Sequence, residues 1–153
     1  MNLKFPVFFL FMFLTFPTFS QDSLNQAMLK AVNELRASGC SCGSVRMRAV
    51  SPLKWNPKLE SAARKHVKDM AGNNFLSHSG SDKSTAETRL SQAGYNWSAY
   101  GENIAMGAES VGEVMAMWKK SPGHCRNMMN PDFKEMGSAF KDNYWVQDFG
   151  KSI

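Results

Sequence analysis

The sequence predicts an α+β domain in which helices cover a small, mostly antiparallel sheet. Three observations predict it. Apolar residues recur at helical spacing behind capping signals through most of the chain, and the tail then switches to strand-like alternation. The composition, 43% hydrophobic and 20% charged in 153 residues, is that of one ordinary globular domain and excludes a multidomain enzyme.

Residues 1–20 stand apart from this pattern. Lys4 precedes an apolar run reaching position 16, and Thr18, Phe19 and Ser20 follow, which is the pattern of a secretory signal peptide. Its removal leaves 21–153 as a single domain. The run is shorter than the ~20 residues a spanning helix needs. No later segment is apolar enough to span a bilayer, and no cysteine near the cleavage point invites a lipid anchor. The expected product is a monomer without a transmembrane segment, secreted or periplasmic.

The elements follow in order. Leu24, Met28, Ala31, Val32 and Leu35 share one face of a first helix from Asp22, and Gly39 stops it. Residues 41–52 have no clean period and carry Gly43 and Pro52, so they read as a loop or extended connector. Asn56 caps a second helix with Pro57 at its first position, running through Leu59, Ala63, His66 and Met70 before Gly72. Ser84 and Glu87 match a capping box, and the helix they open ends at Gly94. Ser110 and Glu113 repeat the device ahead of Val111, Val114 and Trp118, after which Ser121 and Pro122 restart a short turn of helix through His124. Residues 135–141 and 143–149 alternate as strands around a tight turn at Asp142 and Asn143, with 99–105 as a third strand.

The formal net charge of +5 is spread over scattered pairs such as Arg46 with Arg48 and Lys119 with Lys120, which are solvated faces. No interleaving of aromatic and basic residues marks a nucleic-acid groove, so no nucleic-acid partner is expected. Three cysteines, Cys40, Cys42 and Cys125, in an oxidising compartment imply one disulfide and one remaining thiol. A Cys40–Cys42 bridge closes a tight, strained ring, which favours a long-range bridge to Cys125 from one of the two. A lone C-x-C with one distant cysteine lacks the paired spacing of zinc motifs.

Among the residues able to do chemistry, His66 lies on a buried helical stripe and is expected to pack. His78 and His124 lie outside apolar faces. Glu102, flanked by Gly101 and Asn103, is the carboxylate least explained by capping, since Glu87 and Glu113 serve helix starts. Two neutral imidazoles and a carboxylate suit a divalent cation. Nothing resembling H-E-x-x-H places them on one helix. Cys125 beside His124 would point about 100° away from it on a helix, which argues against a thiol dyad.

The series Leu53-Lys54-Trp55-Asn56, Phe75-Leu76-Ser77-His78, Gly94-Tyr95, Gly101-Glu102-Asn103-Ile104, Trp118, Ser121-Pro122-Gly123-His124 and Tyr144-Trp145-Val146-Gln147 resembles the bacterial branch of the CAP superfamily of cysteine-rich secretory, antigen 5 and pathogenesis-related proteins. The match runs from about Leu24 to Gly150. The resemblance implies an α-β-α sandwich, with helices on both faces of the sheet and an open cleft. By match, His78, Glu102 and His124 converge there as ligands, with Asn103 and Ser121 lining the pocket. Animal and plant members carry a second glutamate three residues after the tryptophan. Here Ser121 stands at that offset from Trp118, so a bound cation such as zinc is expected to be held weakly. The resemblance further pairs Cys42, the cysteine followed by glycine, with Cys125 and leaves Cys40 as the thiol.

Two function classes follow. One is a non-enzymatic extracellular binding module for a divalent cation, a small amphipathic ligand such as a lipid or sterol, or a peptide; the resemblance implies this class more often. The other is a metal-dependent, peptidase-like hydrolase in which Glu102 activates water. If Glu102 ligates, no evident base remains, and if it is the base only two ligands remain, fewer than hydrolytic zinc sites use.

Overall fold

The computed structural model describes residues 21–153. The expected signal peptide, 1–20, lies outside the described residues. Helix α1 (Gln21–Ser38) buries Met28, Val32 and Leu35, the stripe its periodicity predicts. It also buries Arg36, fully inaccessible to solvent. That guanidinium donates to the carbonyls of Ser51, Met128, Asn130 and Phe133, tying α1 to two distant loops. Burial lowers its pKa to about 10, so it stays charged at neutral pH.

Gly39 adopts φ +65° and turns the chain into a hairpin of β1 (Cys40–Cys42) and β2 (Val45–Met47). The hairpin corrects the reading of 41–52 as connector. Its strands are three residues long and mostly exposed, too short to print an alternation. After β3 (Lys54–Trp55), Asn56 accepts from the Lys58 N–H and α2 runs Pro57–Asn73. The helix passes through the predicted stop at Gly72 and ends where Asn74 takes φ +53°. Helix α3 (Ala86–Gln92) starts one residue later than Ser84 predicts. Thr85 and Thr88 form the capping box, because Ser84 is committed elsewhere: its carbonyl closes the preceding loop by accepting from the Gly80 N–H, and its hydroxyl accepts from Arg89.

Strand β4 (Trp97–Met106) exceeds the predicted 99–105 at both ends. Ser110 caps α4 (Val111–Lys120) by accepting from the Glu113 N–H, but the Glu113 carboxylate accepts from Glu109, so only half the box forms. Helix α5 (Pro122–Met128) continues four residues past His124. Strands β5 (Glu135–Lys141) and β6 (Tyr144–Ser152) meet at Asp142 and Asn143, both at positive φ, the tight hairpin turn expected.

The main sheet has the order β3-β5-β6-β4, with β3 parallel to β5 and the other pairs antiparallel. Its central strands are buried along most of their length because both faces are covered. Ala63, Val67 and Met70 of α2 pack on Ile104, Ala139 and Val146. On the opposite face, Met28, Val32, Trp118 and Met128 from α1, α4 and α5 pack on Trp145 and Phe149. This is the α-β-α sandwich expected. Helix α2 crosses β5 at Gly137, where an added Cβ would lie 2.5 Å from the Leu59 carbonyl carbon and 2.7 Å from Glu60 Cα. On edge strand β4, the carbonyls of Ile104 and Glu102 accept from Trp118 Nε1 and Asn127 Nδ2. Among the described residues no helix is long and apolar enough to cross a membrane.

Candidate functional site

Consecutive strand residues point to opposite faces. At β4 this sends Glu102 toward α2 and α3, and Asn103 toward α5. Glu102 is buried, and each of its oxygens has a partner: Oε1 lies 2.7 Å from His78 Nδ1 and Oε2 lies 2.7 Å from an Arg89 guanidinium nitrogen. Burial pushes the carboxyl pKa up, but the His78 hydrogen bond and the Arg89 charge outweigh it, and the pKa is held below the ordinary value. An ionised carboxylate can only accept, so His78 Nδ1 carries the proton and Nε2 is left to the exposed side of the ring.

His78 sits on the loop after α2, and two buried side chains place that loop. His66 Nε2 donates to the Ser77 carbonyl at 2.8 Å, and Arg89 donates to the His78 carbonyl at 3.0 Å. His66 is fully buried, as its place on the helical stripe predicts, and burial holds its pKa below the usual histidine value. Beyond packing, it fixes the residue next to His78.

His124 comes from the other side, on α5. Asn103, fully buried, donates to the His124 carbonyl at 3.2 Å and to Gln147 at 3.1 Å, and accepts from Asn127. Asn103 therefore holds α5 against β4. The His124 ring is half-buried, and burial, followed by repulsion from His78, lowers its pKa. Ser121, half-buried between α4 and α5, makes no capping hydrogen bond to α5. The structure thus brings His78 and Glu102 into contact. The ligand atoms of His78, Glu102 and His124 do not all come within 4.8 Å of one another, so His124 stands off from that pair.

Two residues of this site escaped the sequence reading. Arg89 is one, 1% exposed and paired with Glu102. Asp148 is the other, the register partner of Glu102 on β6 and also 1% exposed. Burial and the neighbouring Glu102 charge raise the Asp148 pKa well above the carboxylate range, and Asp148 Oδ1 is buried without a hydrogen-bond partner among the described residues. An acid inside the apolar run Tyr144-Trp145-Val146 to Phe149 was the available signal.

The sign of the Asp148 effect follows. Unfolded, Asp148 ionises near pH 4, whereas folded it keeps its proton to higher pH. Across that window the folded state binds more protons, so this group lowers stability as pH rises. Asp148→Asn removes the penalty. Urea titrations should show the variant gaining on wild type from about pH 4 toward neutrality, and a gain that shrinks with rising pH would contradict this.

The model of the cysteine-rich secretory protein family matches residues 29–149. The chain belongs to this CAP family. It is 29% identical over 104 residues to the uncharacterized protein YkwD of Bacillus subtilis, covering 67% of this chain and 40% of that relative. An extracellular protein containing an SCP domain from Bacillus anthracis superposes with a TM-score of 0.77 at 25% identity, over 86% of this chain and 41% of that one. The chain thus spans about two fifths of the length of these two relatives. The structure of NaASP2 with Zn2+ gives a TM-score of 0.60 at 16% identity, over 85% of this chain and 80% of that one. The CAP disulfide expected from the resemblance is present: Cys42 is bonded to Cys125 and Cys40 is a free thiol.

Proposed function

We propose that this CAP domain is an exported, non-enzymatic binding module whose site of His78, Glu102 and His124 holds a divalent cation such as zinc. One observation carries the reading: both oxygens of Glu102 are engaged, by His78 and by a buried arginine. A carboxylate held by an imidazole on one oxygen and a buried guanidinium on the other, with its pKa lowered, is a weak base toward water, which disfavours the hydrolase alternative. It is, however, well placed to orient a ligand. A metal-binding imidazole is commonly fixed by a carboxylate on its other ring nitrogen, and Glu102 stands to His78 in that relation. His78 and His124 supply imidazole nitrogens, a donor set that suits zinc, and Ser121 in place of a second acid leaves the site short of negative charge. A solved relative with zinc supports the choice of ion.

A small amphipathic ligand fits the same class of function. Between α1 and α4 runs a cleft of about 330 Å³ with Ala31, Leu35, Met115 and Ala116 among its lining and Glu34 and Lys119 at its charged positions. The extracellular protein with an SCP domain supports export.

Zinc titration calorimetry tests the site. Binding should be weak at neutral pH and lost as pH falls below roughly 6.5, because imidazole must be neutral to coordinate. His124, with its lowered pKa, stays available to lower pH than an ordinary histidine. His78→Ala and His124→Ala should each abolish the heat signal, and Glu102→Gln should weaken binding roughly 10–100-fold. His66→Phe, which removes the hydrogen bond to Ser77 but no ligand, should reduce stability more than zinc binding. Binding indifferent to both histidines would sink the site, and peptide hydrolysis that Glu102→Gln abolishes would favour the enzyme.

A further inference from the structure

Strand geometry puts residues two apart on one face, so Cys40 and Cys42 of β1 both look toward α5. Cys42 is bonded there to Cys125. Cys40 Sγ lies 3.5 Å from Cys125 Sγ and 3.8 Å from Cys42 Sγ. Among the described residues these three are the one group of His, Cys, Asp or Glu side chains whose ligand atoms all lie within 4.8 Å of one another. Cys42 and Cys125 are each 1% exposed, whereas Cys40 is half-exposed. The thiol is the solvent-facing member of a cluster whose disulfide is sealed.

We infer that the three cysteines form one thiol–disulfide exchange site, in which Cys40 and Cys42 alternate as the partner of Cys125. The Cys40 thiol gives its proton to solvent, and the thiolate attacks Cys125 Sγ. The Cys40–Cys125 bond forms as the Cys42–Cys125 bond breaks, and Cys42 leaves as a thiolate that takes a proton from water. One disulfide and one thiol are present before and after, so no oxidant or reductant is consumed.

The near-equal distances place Cys40 Sγ beside the existing bond, so in-line attack requires the Cys40 side chain to swing. Attack on Cys42 instead would close the strained C-x-C ring, which directs the exchange to Cys125. Burial pushes the Cys40 thiol up, while Lys119 of α4 and Arg46 of β2 pull it back, so exchange accelerates with alkalinity. Either bridge ties the hairpin to α5. Exchange moves the anchor two residues along β1, beside the helix that carries His124, and it stands independently of the metal reading.

Thiol mapping of the purified chain, never exposed to reductant, tests this. Acid-quenched protein should carry the alkylating label on Cys40. After incubation at about pH 8.5, near the ordinary thiol value, the label should be divided between Cys40 and Cys42. The rate should rise roughly tenfold per pH unit below that value and be independent of protein concentration. Cys42→Ser should form the Cys40–Cys125 bridge, and Cys40→Ser should keep the original one at every pH. A label confined to Cys40 after long alkaline incubation overturns the inference. So does a rate that scales with concentration, or label reaching Cys42 in Cys40→Ser. Should Cys42→Ser fail to fold, the wild-type migration decides alone.

Discussion

Gly137→Ala is expected to yield no stably folded protein. The new methyl group would meet the backbone of α2 at Leu59 and Glu60, and no rotamer change can move a helix backbone aside. Ordinary overpacking costs ~1–3 kcal/mol because side chains yield. Here α2 must lift from the sheet, uncovering Ala63, Val67 and Met70 across their whole contact. Against a total stability of ~5–15 kcal/mol, that loss is decisive. The control runs in the opposite direction. Gly72 is exposed inside α2 with nothing within 4 Å of its added Cβ, so Gly72→Ala should stabilise by ~0.5–1 kcal/mol. Circular dichroism with urea melts on both variants checks the pair; equal behaviour would refute the close-approach argument.

Glu102→Gln should produce the second large loss. It leaves the Arg89 guanidinium, 1% exposed, without its charged partner, and breaking a buried ion pair from one side costs about 3–5 kcal/mol. Asp148 moderates the loss. The Glu102 charge helps hold that carboxyl protonated, so once the charge is gone Asp148 can ionise and face Arg89 in its place. A sign reversal follows. At neutral pH Asp148→Asn should stabilise the wild type but destabilise the Glu102→Gln background, and the double-mutant cycle measures this coupling directly. An identical effect of Asp148→Asn in both backgrounds would show that the two carboxyls act independently. The pH profile also has a defined direction: Glu102, with its lowered pKa, contributes above the unfolded carboxylate range, and its contribution disappears as pH falls through its folded value.

The fold was legible in sequence wherever a signal is local. The stripe of α1, the Asn56-Pro57 start of α2 and the Asp142-Asn143 turn each depend on neighbours in the chain, and each appears where periodicity and turn chemistry place it. Misplaced features depend on competition. Gly72 carries no stop because the αL position falls at Asn74, and Ser84 loses the cap to Thr85 because its hydroxyl accepts from Arg89 of the same helix. At the site, Glu102 and His78 could be singled out because each lacked a local structural task. Asp148 left one signal, an acid inside an apolar strand, but its meaning and that of Arg89, an arginine in a short helix, come only when register sets them around one carboxylate.

The two carbonyls on β4 taken by Trp118 and Asn127 carry a consequence for recognition. A sheet edge normally offers its backbone to any extended chain, which is how many domains capture peptides and how others aggregate. Here side chains from α4 and α5 already occupy acceptors that an incoming strand would need, and the opposite edge, β3, is only two residues long. A peptide partner would therefore have to be read through its side chains or an end group in the cleft, and β-augmentation is closed to it. The same plugging lets the domain present a ten-residue edge strand without templating its own fibrils.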